Sequence, residues 1–188
     1  MTSALLIIDV QQALCCGDDA AYDIERVIDR INTLSAQART VGVPVVLIQH
    51  EEADGPLQWG TLGWQLDTRL AVCESDLRVR KTATDSFYKT ELQDLLASRG
   101  VDRLVVCGLQ SEFCVDSTVR AALARAYPVV LVSDAHSTMG SSVLTAEQIS
   151  AHHNTTLANL GSFGVRVTPV PAVNVQLGDG VFSAPNLR

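Results

Sequence analysis

The segment 104–120 constrains the fold of this chain more than any other. An apolar run over residues 101–107 lies between Gly100 and Gly108 and predicts a buried strand. A mostly polar loop follows, and a helical pattern of apolar residues begins at or near Cys114. A strand, a tight loop and a helix in this order are typical of α/β proteins with a parallel sheet.

Cys114 lies at the predicted start of that helix. The positive end of the helix macrodipole and the unpaired backbone N–H groups favour the thiolate, which is the nucleophilic form. We therefore expect a pKa in the range of about 3.5–7.5 for this thiol. We also expect iodoacetamide to label it ahead of Cys15, Cys16, Cys73 and Cys107. By local pattern alone, a buried structural cysteine is an equally good interpretation.

Composition and charge narrow the class of protein. The 188 residues are 47% apolar, which suits one α/β domain with a full core. The net charge of −7 argues against a nucleic-acid or anionic-membrane partner. No apolar run approaches the ~20 residues of a membrane span, and the first residues lack a basic region, so we expect no signal peptide. Five cysteines without metal-type spacing favour free thiols and a cytoplasmic location.

Two charged residues follow other predicted strands. An apolar run over residues 4–8 ends in Asp9, and an alternating segment over residues 76–81 ends in Lys81. Asp9 could instead be a loop cap, and a lone lysine is most often solvated. Because both follow strand ends, they can converge with Cys114 on one side of a parallel sheet. There the carboxylate can accept the thiol proton while the ammonium attracts the thiolate.

The remaining pattern alternates between strands and helices. It predicts a three-layer αβα fold with a five- or six-stranded, mostly parallel sheet and helices on both faces. Further helices are predicted over 22–40, 90–98 and 145–160, and further strands over 43–48, 127–133 and 164–169. We expect a single domain over residues 1–170 and an extended C-terminal tail over 171–188. We also expect a homo-oligomer, either a dimer or a tetramer.

The connection after the second strand is long and contains two tryptophans, Trp59 and Trp64. Loops of this length are often lids or binding walls, so one tryptophan is expected to line a pocket. His50 directly precedes the loop, either as a ligand contact or as a polar strand end, and we favour the second.

Three motifs resemble one known family. Residues 6–11 read Leu-Ile-Ile-Asp-Val-Gln, residues 80–82 read Arg-Lys-Thr, and residues 107–115 read Cys-Gly-Leu-Gln-Ser-Glu-Phe-Cys-Val. In this order they are similar to the isochorismatase-like cysteine hydrolases, which include nicotinamidases and carbamoyl-cleaving enzymes. The resemblance implies a Rossmann-like fold over roughly residues 4–170 and a catalytic triad of Asp9, Lys81 and Cys114.

The same resemblance implies further site features. It implies a cis peptide bond between Leu109 and Gln110, and an oxyanion hole made by the backbone N–H groups of Gln110 and Cys114. Candidate substrate contacts are Gln11, Leu14, Trp59, Trp64 and Phe113.

Two departures from the family pattern matter. Nicotinamidases carry an Asp-x-His metal site after the second strand, whereas residues 48–51 here read Ile-Gln-His-Glu. We therefore expect no metal and no other cofactor, with His50 and His136 as the first residues to suspect if a metal is required. Ser111 replaces the usual threonine of the third motif and keeps its hydroxyl.

The predicted function is hydrolysis of a carboxamide, lactam or carbamoyl C–N bond in a small-molecule substrate, through a Cys114 thioester. One alternative is vinyl-ether hydrolysis of isochorismate, a dianion for which the chain offers few cations beyond Lys81. Another is a non-enzymatic binding protein or a redox thiol protein that uses Cys15, Cys16 and Cys114.

Overall fold

The computed structural model describes residues 1–178 and contains a sheet of six strands, all of them parallel. The order of the strands is β3-β2-β1-β4-β5-β6. The direction of winding reverses between β1 and β4, and open α/β sheets bind ligands at the carboxyl edge beside such a reversal. The strands are β1 (Ser3–Ile8), β2 (Val45–His50), β3 (Leu77–Lys81), β4 (Arg103–Leu109), β5 (Val129–Ser137) and β6 (Val167–Val170).

Helices cover both faces of the sheet, which confirms the predicted three-layer fold. One face packs on α2, and the other packs on α3, α4 and α5. Neighbouring residues of β1 point into opposite cores, Leu5 towards α2 and Leu6 towards the other helices, so the whole strand is apolar. The helices are α1 (Gln12–Cys15), α2 (Ile24–Thr40), α3 (Leu92–Ala97), α4 (Asp116–Ala124) and α5 (Ala146–Ala158). Within residues 1–178, no helix combines the length and apolarity that crossing a membrane requires.

Several element ends differ from the sequence-based prediction. Helical structure after β4 begins with a π-helical turn, Ser111–Val115, so Cys114 lies inside that turn and not at its start. Strand β5 continues to Ser137 and therefore contains His136. Thr145 is the N-cap of α5, and its side chain accepts a hydrogen bond from the Gln148 backbone in a capping box.

The segment after β6 returns to the core. Residues 172–174 form a 3₁₀ turn, Ala172–Asn174, and Val175 and Leu177 are buried in the core on the α2 side. The backbone N–H of Ala172 donates to Asp134 Oδ1 at 2.7 Å, which fixes the start of this segment. The rest of the predicted tail, residues 179–188, lies outside the described residues.

Gly108 allows β4 to approach β1 at the ligand-binding edge. Its φ is 113°, and it pairs with Ile8, whose backbone a Cβ at this position would meet directly. We expect Gly108→Ala to lower the free energy of unfolding by about 3 kcal/mol or more, because it adds both backbone strain and a collision.

Gly42→Ala provides the matched control for this substitution. Gly42 has φ 74°, and no atom lies within 4 Å of the point that a Cβ would occupy there. Gly42→Ala should therefore lower the free energy of unfolding only by the backbone strain, which is about 1 kcal/mol. Urea unfolding of both variants measures the difference. Equal losses would show that β1 and β4 are not in close contact at Gly108.

Candidate active site

The carboxyl ends of three strands bring Asp9, Lys81 and Cys114 together. Asp9 follows β1, Lys81 is the last residue of β3, and Cys114 lies in the π-helical turn after β4. Lys81 Nζ donates to Asp9 Oδ2 at 2.7 Å and to Cys114 Sγ at 3.1 Å. The three residues expected to form one site therefore lie in direct contact around a single ammonium group.

All three side chains are withdrawn from solvent. Asp9 and Lys81 are each 1% exposed, and Cys114 is 9% exposed. The second carboxylate oxygen, Asp9 Oδ1, is buried and has no hydrogen-bond partner among residues 1–178. A carboxylate oxygen of Asp9 and Cys114 Sγ lie within 4.8 Å of each other. A proton acceptor is thus available close to the thiol.

The charges of the site act on the thiol in opposite directions. Burial and the Asp9 carboxylate raise the pKa of Cys114 to about 12, although the Lys81 ammonium opposes this. Burial also disfavours the Lys81 ammonium, but attraction to Asp9 and Cys114 outweighs it and raises the pKa of Lys81. The pKa shifts therefore favour an ammonium at Lys81 and a neutral thiol at Cys114.

This result overturns the expectation that the pKa of Cys114 is lowered. That expectation depends on a helix start at Cys114, but the helical turn begins three residues earlier, at Ser111. The same expectation includes the effect of the Lys81 cation on the thiol pKa but leaves out the opposite effect of burial. Because Asp9 raises the pKa of the thiol and Lys81 lowers it, the two charges oppose each other, and burial, the largest cause, decides the direction.

Asp9 adopts an unusual backbone conformation where it leaves β1. Its φ is 52°, a left-handed conformation that costs a non-glycine residue about 1 kcal/mol or more. The Asp9 N–H donates to the carbonyl of Ile48, and its own carbonyl accepts from Gln11. These two bonds hold the turn and direct the side chain towards Lys81.

Gln11 links neighbouring segments of the site. Its side chain is fully buried. The amide nitrogen donates to the carbonyls of His50 and Trp64, and the amide oxygen accepts from the His50 N–H. Gln11 therefore ties the end of β2 and the tryptophan loop to the residues after β1, and its contact with substrate stays a prediction.

His50 belongs to the site, contrary to its preferred interpretation as a polar strand end. Its Nδ1 lies 3.3 Å from Lys81 Nζ, the third contact of the ammonium. Burial and the charge of Lys81 lower the pKa of His50, so the ring is neutral at neutral pH. The signal that places it here is the paired register of β2 and β3, which sets His50 beside Lys81.

The other predicted substrate contacts differ in how exposed they are. Trp59 is 61% exposed and Phe113 is 51% exposed. The rings of Trp59 and Trp64 lie 6.3 Å apart, and the Arg80 guanidinium lies 5.6 Å from the Trp59 ring. Leu14 is half-buried against the core on the α2 side.

A cavity of about 540 Å³ adjoins the site and is lined by His50, Glu51, Glu52, Ala53 and Thr82. None of the five predicted contacts is among these lining residues. A cavity of about 650 Å³ lies elsewhere, between residues 18–22 and 139–148, and contains none of the three site residues.

Three donor atoms in the site have the spacing of a metal site. Asp9, His50 and Cys114 each contribute one atom, and the three atoms lie within 4.8 Å of one another. Residues 1–178 contain no other group of three possible metal ligands with this spacing. However, the Lys81 ammonium contacts all three side chains, so a metal ion would have to displace a cation already there. These residues fit an ammonium better than a metal.

A buried polar network lies behind the turn that carries Cys114. The Ser111 hydroxyl lies 2.8 Å from His136 Nδ1 and 3.0 Å from the Ser150 hydroxyl. His136 Nε2 lies 3.0 Å from Asn154 Oδ1, and the Asn154 amide donates to the carbonyl of Ser133. Because Asn154 Oδ1 must accept, the proton of His136 is on Nε2, and Nδ1 accepts from Ser111. His136 thus supports the turn.

The peptide bond that leads into this turn, Leu109–Gln110, is cis.

The charge balance predicts how Cys114 responds to iodoacetamide. In the wild-type protein the exposed Cys73 should react before Cys114 at pH 8, because Cys114 is buried and protonated. Asp9→Asn should accelerate alkylation of Cys114 about tenfold or more, since it removes the charge that raises the thiol pKa. Lys81→Met should slow it.

Peptide mapping by mass spectrometry, with Cys73 as the internal reference, measures these rates. Rapid labelling of wild-type Cys114 that Asp9→Asn leaves unchanged would contradict the proposed charge balance.

Comparison with known proteins identifies relatives of this chain. An isochorismatase domain model matches residues 3–168. Streptothricin hydrolase from Streptomyces noursei is 43% identical over 136 residues, which are 72% of this chain and 49% of that protein. Ureidoacrylate amidohydrolase RutB from Klebsiella pneumoniae subsp. pneumoniae is 31% identical over 170 residues, covering 71% of this chain and 72% of that protein.

A solved structure extends the comparison to the fold. The crystal structure of an isochorismatase family protein has 34% identity and a TM-score of 0.83, and the match covers 90% of this chain and 98% of that one. The chain spans about half the length of the streptothricin hydrolases that it matches. Because the domain model matches nearly the whole described fold, the chain belongs to the isochorismatase family.

Proposed function

We propose that this protein is a metal-independent cysteine hydrolase that cleaves the C–N bond of a small carboxamide, lactam or carbamoyl substrate. One observation carries the proposal. Lys81 joins Asp9 and Cys114 at 2.7 and 3.1 Å, while Asp9 Oδ1 is buried without a partner in the described part of the chain. A nucleophile, a base and a cation in contact are the parts that nucleophilic cleavage of an amide requires.

The first half of the reaction forms a thioester. Asp9 Oδ1 takes the thiol proton as Cys114 Sγ attacks the carbonyl carbon, so the thiolate forms only when substrate is present. The tetrahedral intermediate then collapses, and the protonated Asp9 donates its proton to the leaving nitrogen as the C–N bond breaks. Lys81 stabilises the negative charge as it moves between sulfur and carboxylate.

The second half releases the acid. A water molecule attacks the thioester carbonyl while Asp9 accepts its proton, and the C–S bond breaks as that proton returns to sulfur. The net reaction adds one water across the C–N bond. No redox step occurs, and the site returns to a carboxylate, an ammonium and a thiol.

The oxyanion of both intermediates requires hydrogen-bond donors. We assign this role to the backbone N–H groups of Gln110, which caps the π-helical turn, and of Cys114, which lies within it. Donors fixed in a buried site are commonly worth about 3 kcal/mol each in transition-state stabilisation.

The names of the relatives favour C–N cleavage over the alternatives. Streptothricin hydrolase and ureidoacrylate amidohydrolase are both hydrolases, and the second is named as an amidohydrolase. A dianionic vinyl ether such as isochorismate would meet Glu51 and Glu52 in the adjoining cavity. All five cysteines are free thiols, and nothing favours a redox role.

Substitution of the three residues tests the chemistry. Cys114→Ala and Asp9→Asn should each fold and lose at least about 10³-fold in kcat, since one lacks the nucleophile and the other the base. Lys81→Met should also lose most activity, because it leaves the buried carboxylate without its ion-pair partner. A panel of primary amides, lactams and carbamates provides the assay.

Cys107→Ala is the matched control for these variants. Cys107 is also a buried cysteine, on β4, but it packs in the core on the α2 side, whereas Cys114 packs in the core on the other face. Its Sγ donates to the carbonyl of Leu6 at 3.5 Å. Cys107→Ala should retain turnover. Retained turnover in Cys114→Ala would show that this mechanism is wrong.

Metal removal gives an independent test. We expect full activity after exhaustive dialysis against EDTA and a second, stronger chelator, because an ammonium occupies the position that a metal would need. Zinc or manganese should not increase turnover. Loss of activity that either ion restores would make Asp9, His50 and Cys114 metal ligands and would overturn the proposal.

A further inference from the structure

We infer that His50 is a positioning residue for Lys81, which it holds between Asp9 and Cys114 by accepting the third hydrogen bond of the ammonium. This role rests on the proposed function, since it adds a fourth residue to the site, but its test needs no substrate. Three observations support this role. They are the number of donors on the lysine, the tautomer of the histidine and the hydrogen bonds that anchor the histidine backbone.

A lysine ammonium has three N–H donors and no acceptor. Lys81 is 1% exposed, so bulk solvent does not reach these donors. Its contacts are Asp9 Oδ2 at 2.7 Å, Cys114 Sγ at 3.1 Å and His50 Nδ1 at 3.3 Å. Each donor thus has one acceptor, and loss of any one would leave a charged, buried donor unsatisfied.

The histidine must accept and cannot donate at this contact. An ammonium has no lone pair, so Nδ1 carries none of the ring protons and the single proton of the neutral ring is on Nε2. Nε2 lies 3.9 Å from Glu52 Oε1, at the side of the ring that faces the cavity lined by both residues. Burial and Lys81 lower the pKa of His50, which keeps the ring in this neutral form.

The backbone of His50 is fixed from both sides. The Gln11 side chain accepts from the His50 N–H at 2.8 Å and donates to the His50 carbonyl at 2.9 Å. His50 also pairs with Lys81 in the register of β2 and β3. The acceptor is therefore held on the same rigid sheet edge as the ammonium, which is the arrangement that a positioning residue requires.

The charged and titratable groups that act on His50 come from four segments. They are Lys81 on β3, Asp9 after β1, Glu52 after β2 and, across Lys81, Cys114 in the π-helical turn. A proton on Nδ1 would remove the acceptor and set a second positive charge against Lys81. The position of Lys81 between the carboxylate and the thiol thus depends on a neutral His50.

Three substitutions separate this role from simple packing. His50→Leu removes the acceptor, His50→Asn places a side-chain oxygen at about the position of Nδ1, and His50→Gln extends the oxygen towards the position of Nε2. The readout is the rate of Cys114 alkylation by iodoacetamide between pH 7 and 10, with Cys73 as the reference. Lys81 lowers the pKa of Cys114, so displacement of Lys81 should slow this reaction.

We expect His50→Leu to slow alkylation of Cys114 about tenfold, towards the rate of Lys81→Met, and His50→Asn to restore it to within about twofold of wild type. If His50→Leu does not fold, His50→Gln should show the same loss, since its oxygen is displaced from Lys81. Circular dichroism and thermal unfolding verify the fold of each variant. A wild-type rate in His50→Leu, or equal rates in His50→Asn and His50→Gln, would overturn the inference.

A turnover measurement then links the inference to catalysis. With any amide that the wild-type protein hydrolyses, His50→Leu should lower kcat about 10- to 100-fold with little change in KM, because a displaced ammonium stabilises the moving negative charge less well. A change confined to KM would make His50 a substrate contact and would contradict the positioning role. The alkylation result stands even if the protein hydrolyses no amide, so the two proposals fail separately.

Discussion

The buried ammonium of Lys81 is the interaction on which the rest of the site depends. Removing a lone charge from water costs several kcal/mol, and proteins bury one only where nearby groups compensate. Here the compensation comes from one residue after β1, one at the end of β2 and one after β4. Three segments far apart in sequence are thereby tied to one charge, and none can move without leaving that charge exposed to an unfavourable environment.

The strand order makes this convergence possible. Because β3, β2, β1 and β4 are neighbours and all parallel, their carboxyl ends lie along one continuous edge. Lys81 on β3 must reach past β2 to meet Asp9. Its long side chain does so, and its ammonium also contacts His50 at the end of β2. A shorter cation could not span two strands. The pairing of Ile8 with Gly108 then brings the turn that carries Cys114 to the same point.

Much of this arrangement can be predicted from the sequence, and the reasons are physical. Apolar runs that end in a charged residue mark buried parallel strands, and parallel strands end at a common edge, so the sequence predicts that Asp9, Lys81 and Cys114 meet. The fold class follows from the same alternation of strands and helices. Sequence patterns, however, carry no information on depth, and depth explains where the sequence-based interpretation is wrong.

Burial explains the properties of Cys114, Gln11 and His50 that the sequence does not predict. The sequence predicts an acidic thiol at Cys114, yet its pKa rises because desolvation outweighs a nearly balanced pair of charges. The sequence also gives no sign that the amide of Gln11 forms three hydrogen bonds to backbone within the protein. His50 has the same local sequence whether it faces solvent or Lys81, and only the register of β2 against β3 decides between them.

A resting thiol with a raised pKa has a consequence for selectivity. A permanent thiolate would react with any electrophile that reached it, whereas under the proposed mechanism a protonated thiol reacts only when a carbonyl carbon arrives close to both Sγ and Asp9 Oδ1. The geometry of substrate binding then controls the chemistry, because the proton moves only in the assembled complex. Since the tryptophan loop is anchored through the Trp64 carbonyl to Gln11 and Gln49, its position is fixed by the same residues that hold His50. Under the proposed function, changes in that loop that keep these two hydrogen bonds can alter which amide enters while the contacts of the Lys81 ammonium remain intact.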